Sequence, residues 1–229
     1  MGGKVEKRSF RQLFFQSPLR VITHVFVVCV VIFLIVRLII VLVIGEDPDN
    51  RLFSYFAVSL LFLLPYAYEL IFRRRISTFV LLFYVLYVFV SGALGNCLGF
   101  YGRFLGFDKV MHSLFGYVGC IIGLLAVCKM ADYHSLSPTF VSFVCFAVSL
   151  ACGAVWEIIE FSGDTLLGQS AQGFLVQTTD GALVRALLDT MLDLISNFIG
   201  ALVFVIHYLF HRLIERNLII GSMVQDFVS

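Results

Sequence analysis

Residues 21–44 form an apolar run whose only formal charge is Arg37. At about 1.5 Å of rise per residue, a helix of that length crosses a hydrocarbon core roughly 30 Å thick. The run is too long for the core of a signal peptide and lacks a small-residue cleavage site, so an uncleaved first span is expected. Five further apolar runs follow, at about residues 52–72, 76–98, 108–130, 138–161 and 186–210. A backbone surrounded by lipid must satisfy its own hydrogen bonds, and runs of this length do so as helices. The expected fold is therefore all-α: one transmembrane domain over residues 1–229, a polytopic bundle of about six helices.

Composition supports this reading. Of 229 residues, 60% are hydrophobic and 14% charged, and the mean hydropathy is +0.99. All three figures lie outside the usual range of soluble domains. A net charge of +1 gives no support to nucleic-acid binding. Six cysteines are scattered singly, without CxxC pairs or metal spacing, and read as small packing residues.

The distribution of basic residues sets the expected sidedness. Lys4, Lys7, Arg8, Arg11 and Arg20 precede or open the first span, interleaved with Phe10 and Phe14 as in a basic interfacial helix or a simple positive flank. Arg73, Arg74 and Arg75, Lys129, and Arg212 with Arg216 fall on the same side of a six-span bundle. The positive-inside rule makes that side cytoplasmic, so the chain reads N-in and C-in, a multi-pass protein of the plasma membrane with residues 211–229 as a cytoplasmic tail. Glu46, Asp47, Asp49, Asp164 and Asp180 fall outside. Pro65 is expected to kink the second span, Glu69 to pair with Arg73 four residues on, and residues 162–184 to form the longest connection.

Against this apolar background the later helices carry ionisable pairs. Asp108 and His112 are four apart, Glu157 and Glu160 three apart, and Asp189, Asp193 and Asn197 recur every fourth residue. Each spacing puts its members on one helix face. In an N-in bundle all three pairs lie in one slab beneath the outer surface. Charges inside a membrane helix are costly and usually face a compensating interior. Five carboxylates and one imidazole cannot all be ionised and unpaired in a low dielectric, so either some carry protons or cations neutralise them. Oxygen-rich ligands with one His suit Mg, Mn or Zn. The candidate metal ligands are therefore Asp108, His112, Glu157, Glu160, Asp189 and Asp193. Arg37, Gln172 and Asn197 are supporting polar groups, and Arg37, Lys109 or Arg185 are alternative ion-pair partners for a carboxylate. A packing role competes with the metal role, most strongly for Asp108 and Asp164 near helix ends.

The motifs also carry a resemblance. Asp108-Lys-Val-Met-His112, with Gly116 following, resembles the Asp-Lys-x-x-His helix start of VanZ-like membrane proteins, and Asp193-Leu-Ile-Ser-Asn197-Phe-Ile-Gly200 resembles their Asp-x-x-x-Asn-x-x-Gly helix. Glu157-x-x-Glu160, a glycine-rich loop with Gln172, and the Asp189–Asp193 repeat are closer still to YjdF-like relatives. The resemblance covers about residues 100–205 and implies a small polytopic bundle in a cell-envelope setting, without an assigned activity. Asp180-Gly181, Arg185, Asp189 and Asp193 also resemble the CDP-alcohol phosphotransferase motif, but Gln177 stands where an aspartate is needed. HExxH and the Glu-x-x-His of di-iron bundles are absent.

The function expected from sequence is an outward-facing acidic and His pocket that binds a divalent cation and binds or acts on a lipid-linked or envelope ligand. As an enzyme it would be a metal-dependent hydrolase or transferase, with His112, Glu157 and Asp193 as catalytic candidates and the long loop as a lid. The alternatives are an ion- or proton-coupled transporter and a structural or regulatory bundle. No polar path toward the cytoplasm is evident in the sequence, and no internal repeat supports an inverted-repeat transporter.

Overall fold

The computed structural model describes residues 17–45, 51–73, 75–167, 171–172, 180–214, 220–221 and 224. The basic N-terminal flank, the acidic turn around Pro48, Arg74, most of the connection before the last helix and most of the tail lie outside these residues. The described chain is helical, with no strand, and six of its helices are long and apolar enough to cross a membrane. They are α1 (Pro18–Ile44), α2 (Leu52–Phe72), α3 (Thr78–Val88, continuing as a π-helix over Phe89–Cys97), α4 (Phe107–Met130), α5 (Pro138–Leu167) and α6 (Asp180–Ile214).

Two helices exceed their expected lengths. The fifth was expected to stop near Phe161 and the sixth to begin near Ala186, but α5 runs on through Ser162, Gly163 and Asp164 to Leu167, and α6 starts at Asp180. Polar residues that read as loop are compatible with helix once the chain has left the hydrocarbon. The connection is correspondingly shorter than the 162–184 expected.

The chain packs as two compact units, Met1–Phe104 and Leu105–Ser229. In the first, Val27, Val31 and Leu34 of α1 pack with Tyr55, Val58 and Phe62 of α2 and with Leu81, Val85 and Val88 of α3. These residues recur at three- and four-residue intervals, as one helix face requires. Ile22, Val25, Val28 and Ile32 remain exposed on the opposite face of α1, where lipid is an adequate solvent. Pro65 sits inside α2 and lacks the N–H that would bond the Leu61 carbonyl. Tyr84 of α3 supplies the missing donor, its hydroxyl lying 2.8 Å from Leu61 O.

Glu69 does not take the expected local partner. Its carboxylate pairs with Arg20 at the start of α1, where both side chains are almost fully buried. Glu69 Oε1 also accepts from Ile76 N at 2.8 Å, and Arg20 Nη1 donates to Ile76 O at 2.8 Å. Arg73 has become the left-handed C-cap of α2, with φ 53°. A tertiary charge pair buried by packing has displaced the i, i+4 pair.

In the second unit α4, α5 and α6 pack in mutual contact. Two glycines set how closely α4 and α6 approach. A Cβ on Gly116 would fall on the backbone carbonyl of Asn197, and one on Gly200 on the backbone carbonyl of Ser113. The contact is thus backbone against backbone from both sides, as small residues allow in membrane helices. Hydrogen bonds cross the same level: Ser149 Oγ donates to Gly116 O at 2.6 Å, Asn197 Nδ2 to Ser149 O at 3.3 Å, and Ser113 Oγ to Ser196 O at 3.0 Å. These ties lock the three helices about one turn from the pairs of α4 and α6 and about two from that of α5.

Candidate metal centre

Each acidic pair enters from a different helix at the same end of the second unit. Asp108, Lys109 and His112 occupy the first turns of α4, Glu157 and Glu160 the C-terminal part of α5, and Asp189 and Asp193 the N-terminal part of α6. His112, Glu157, Asp193 and Asn197 are all buried, with exposures of 6%, 5%, 1% and 0%.

Lys109 organises one half of the cluster. Its Nζ lies 2.9 Å from Asp108 Oδ2, 2.5 Å from Asp189 Oδ1 and 2.7 Å from Asp193 Oδ1. Three carboxylates from two helices thus share one ammonium, whose three N–H donors match the three acceptors. In the sequence Lys109 is only one ion-pair alternative among three, beside Arg37 and Arg185. The stronger signal was its own position, since a lysine in the first turn of a membrane span must find an acid or reach water.

His112 links this half to the other. Its Nε2 stands 3.5 Å from Asp108 Oδ1 and 3.7 Å from Asp193 Oδ1, and its Nδ1 stands 3.6 Å from Glu157 Oε1. These separations are too long for good hydrogen bonds. They are close to the spacing of about 3.3 Å between ligands held tetrahedrally at roughly 2.0 Å from a zinc-sized ion. Two groups of three ligand atoms fall within 4.8 Å of one another: Asp108, His112 and Asp193, and His112, Glu157 and Glu160.

The two groups differ in what already occupies them. Asp108 and Asp193 have Lys109, whereas neither carboxylate oxygen of Glu157 has a hydrogen-bond partner among the described residues. Glu160 is oriented by Trp156, whose Nε1 donates to its Oε1 at 2.7 Å. A buried carboxylate costs several kcal/mol, of order, unless paired. The Glu157 side of His112 is therefore the less compensated one, with the imidazole at 3.6 Å and the Thr190 hydroxyl as its polar neighbours.

The supporting residues divide. Asn197 lies one turn below Asp193, fastened to Ser149, with its Oδ1 unpartnered. Gln172 Nε2 donates to Thr190 Oγ1 at 2.8 Å, so the connection touches α6 between the two aspartates. Asp164 accepts from Ala171 N at 2.7 Å and Gln172 N at 3.0 Å, a turn-holding role rather than a ligand role. Arg37 belongs to the first unit, where its Nη2 is 3.5 Å from Tyr55 Oη. The Arg185 side chain and most of the expected lid lie outside the described residues.

Two further polar pairs lie along α6 away from the cluster, one to α4 and one to the turn after it. Tyr117 Oη lies 2.7 Å from His207 Nδ1, and Tyr133 Oη 3.0 Å from Tyr208 Oη, with Arg212 stacked over the Tyr133 ring. Isolated tyrosines and histidines in apolar helices carried no sequence signal of pairing, because the partners are up to 90 residues apart.

A family model described as "Predicted membrane protein (DUF2238)" matches residues 25–213, which contain both units' spans nearly whole. An uncharacterised protein of Thermotoga maritima is 29% identical over 136 residues, 59% of this chain and 65% of its own length. No solved structure matches.

Proposed function

The chain belongs to the DUF2238 family of predicted membrane proteins, and from that premise we propose that its second unit is a divalent-cation site serving a lipid-linked or envelope ligand. The observation that carries the reading is Glu157, 5% exposed, with its Oε1 3.6 Å from His112 Nδ1 and neither oxygen in hydrogen-bond geometry with a described group. The proposed ligands are His112 Nδ1, Glu157 and Glu160. Asp108 and Asp193, 3.5 and 3.7 Å from the second imidazole nitrogen, then need only a small approach to form the carboxylate–histidine arrangement that fixes the tautomer and raises ligand basicity. Three protein ligands leave coordination positions for water or substrate, as catalytic sites require.

The six-ligand set expected from sequence thus narrows. Asp108, Asp189 and Asp193 share the Lys109 ammonium and become orienting groups, with Asp193 still within reach as a base beside His112. A bound Mg, Mn or Zn would polarise a phosphoryl or carbonyl oxygen or lower the pKa of a bound water, which favours hydrolase or transferase chemistry. Lys129 and Arg212 lie in the last turns of α4 and α6, at the other end of the unit. The positive-inside rule supports an outward-facing site in the plasma membrane. The resemblance of residues 100–205 to VanZ-like and YjdF-like proteins supports the envelope setting.

A second reading, a proton- or ion-coupled transporter, is favoured by one observation: the Tyr117–His207 and Tyr133–Tyr208 pairs extend the polar groups toward the opposite end. Proteoliposome flux that depends on His207 would select it. The test of the lead reading is a Mn titration followed by thermal unfolding in detergent. The wild type should gain stability with added metal while His112→Ala should not. Equal responses would discard the site.

A further inference from the structure

Gln172 is buried although it lies in the connection between α5 and α6, where polar side chains ordinarily face water. Two groups hold it there. Asp164, two turns beyond Glu157 on α5 and so on the same helix face, accepts from the backbone N–H groups of Ala171 and Gln172 at 2.7 and 3.0 Å. The Gln172 side chain then reaches α6, where its Nε2 donates to Thr190 Oγ1 at 2.8 Å.

The Thr190 hydroxyl is used in an unusual way. Thr23, Ser59, Ser91 and Ser162 each donate to the carbonyl one turn earlier in their own helix. Among the described residues Thr190 makes no such bond to Ala186, and its oxygen accepts from Gln172 instead. A hydroxyl carries one hydrogen and two lone pairs. With a lone pair taken by Gln172, the hydrogen remains for the Glu157 carboxylate, its polar neighbour across from α5. A carboxylate that gives one oxygen to a metal keeps the other. At the depth of Glu157 that second oxygen needs a protein donor, because water does not reach it.

We infer that Thr190 is a positioning residue of the cation site: held by Gln172, its hydroxyl donates to the Glu157 oxygen that the metal leaves and so fixes the one the metal meets. The inference rests on the cation reading of His112, Glu157 and Glu160, and it makes Gln172 of the α5–α6 connection a determinant of that site's affinity. It accounts together for a buried glutamine in a connection and a helical threonine that forgoes its own carbonyl.

The test titrates Mn into the full chain in mild detergent and reads free Mn by electron paramagnetic resonance, with metal-free melting temperatures measured on the same samples. Thr190→Val keeps the shape and loses the hydroxyl, Thr190→Ser keeps the hydroxyl, and Gln172→Met removes the donor that orients it. The dissociation constant should rise about tenfold in Thr190→Val and stay within about threefold of the wild type in Thr190→Ser, since a lost outer-shell partner costs at least the former. Gln172→Met should also weaken binding, and Gln172→Met/Thr190→Val should bind no more weakly than Thr190→Val alone, because both act through one hydroxyl. Metal-free melting temperatures should not follow this order. Where the wild type binds Mn, equal affinity in Thr190→Val overturns the inference, as does a Thr190→Ser as weak as Thr190→Val. Gln172→Met, in the turn, decides alone if Thr190→Val does not fold, and unchanged affinity there overturns it. A wild type that binds no Mn overturns the cation site itself, so the two failures are distinguishable.

Discussion

Lys109 Nζ lies 2.7 Å from Asp193 Oδ1, joining the first turn of α4 to a carboxylate buried in α6. Because the same ammonium also holds Asp108 and Asp189, the acids of this site are not equivalent. Three share one ammonium within the protein, and the Glu157 side is reached only by His112.

The bridge should be visible as an energetic coupling. Lys109→Met leaves Asp193 buried without its cation and should cost about 3 kcal/mol, since breaking a buried pair exposes the remaining charge to the full desolvation penalty. In Lys109→Met/Asp193→Asn that penalty is removed, and the double variant should be more stable than the sum of the two singles by more than 1 kcal/mol, on the order expected for contacting groups. Thermal or denaturant unfolding in detergent measures the cycle. Strict additivity would mean the contact does not hold the helices.

Helix approach at Gly116 and Gly200 positions Lys109 against α6. Gly200→Ala places a methyl on the Ser113 carbonyl and should destabilise by about 1–3 kcal/mol, the usual cost of overpacking. A Cβ on Gly102 meets nothing within 4 Å, so Gly102→Ala should stay within about 0.5 kcal/mol of the wild type. Melting temperatures of the two variants, measured side by side, check the difference.

The Tyr84 hydroxyl completes the backbone that Pro65 interrupts. Tyr84→Phe should cost about 0.6 kcal/mol, the average of interhelical side-chain hydrogen bonds in membranes. In a Pro65→Ala background the restored N–H satisfies Leu61 O, and the same substitution should cost nothing measurable. An unchanged cost in that background would separate the hydroxyl from the proline.

Much of the site was legible because helical spacing is a one-dimensional property. Asp108 with His112, Glu157 with Glu160, and Asp189 with Asp193 were assigned to shared faces by counting residues, and the three pairs do meet at one end of the unit. What counting cannot give is the reach of a flexible side chain: Lys109 stands between Asp108 and His112, and the tertiary approach of α6 decides that it takes Asp189 and Asp193. The same limit explains Glu69, whose sequence neighbour Arg73 lost to Arg20, 49 residues away. Helix ends were misplaced where Ser162, Gly163 and Asp164 looked like a loop, because hydropathy marks where a span leaves lipid, not where its helix stops. The π-helical stretch from Phe89 to Cys97 likewise has no periodic signature that a sequence reading separates from α.

Glu157→Gln separates stability from binding. Removing an unpartnered buried charge should leave the metal-free protein as stable as the wild type or more so. The wild type alone should then gain about 2.7 kcal/mol when the metal reaches a hundred times its dissociation constant. Unfolding curves with and without chelator report both quantities.

The most direct measurement is elemental analysis of the purified full chain alongside Glu157→Gln, Glu160→Gln and Asp189→Asn. The account predicts about one divalent ion per chain in the wild type and in Asp189→Asn, because Asp189 serves Lys109 rather than the metal. It predicts a loss of at least tenfold in the two glutamate variants. A wild type free of divalent metal, or glutamate variants that hold as much as the wild type, would contradict it.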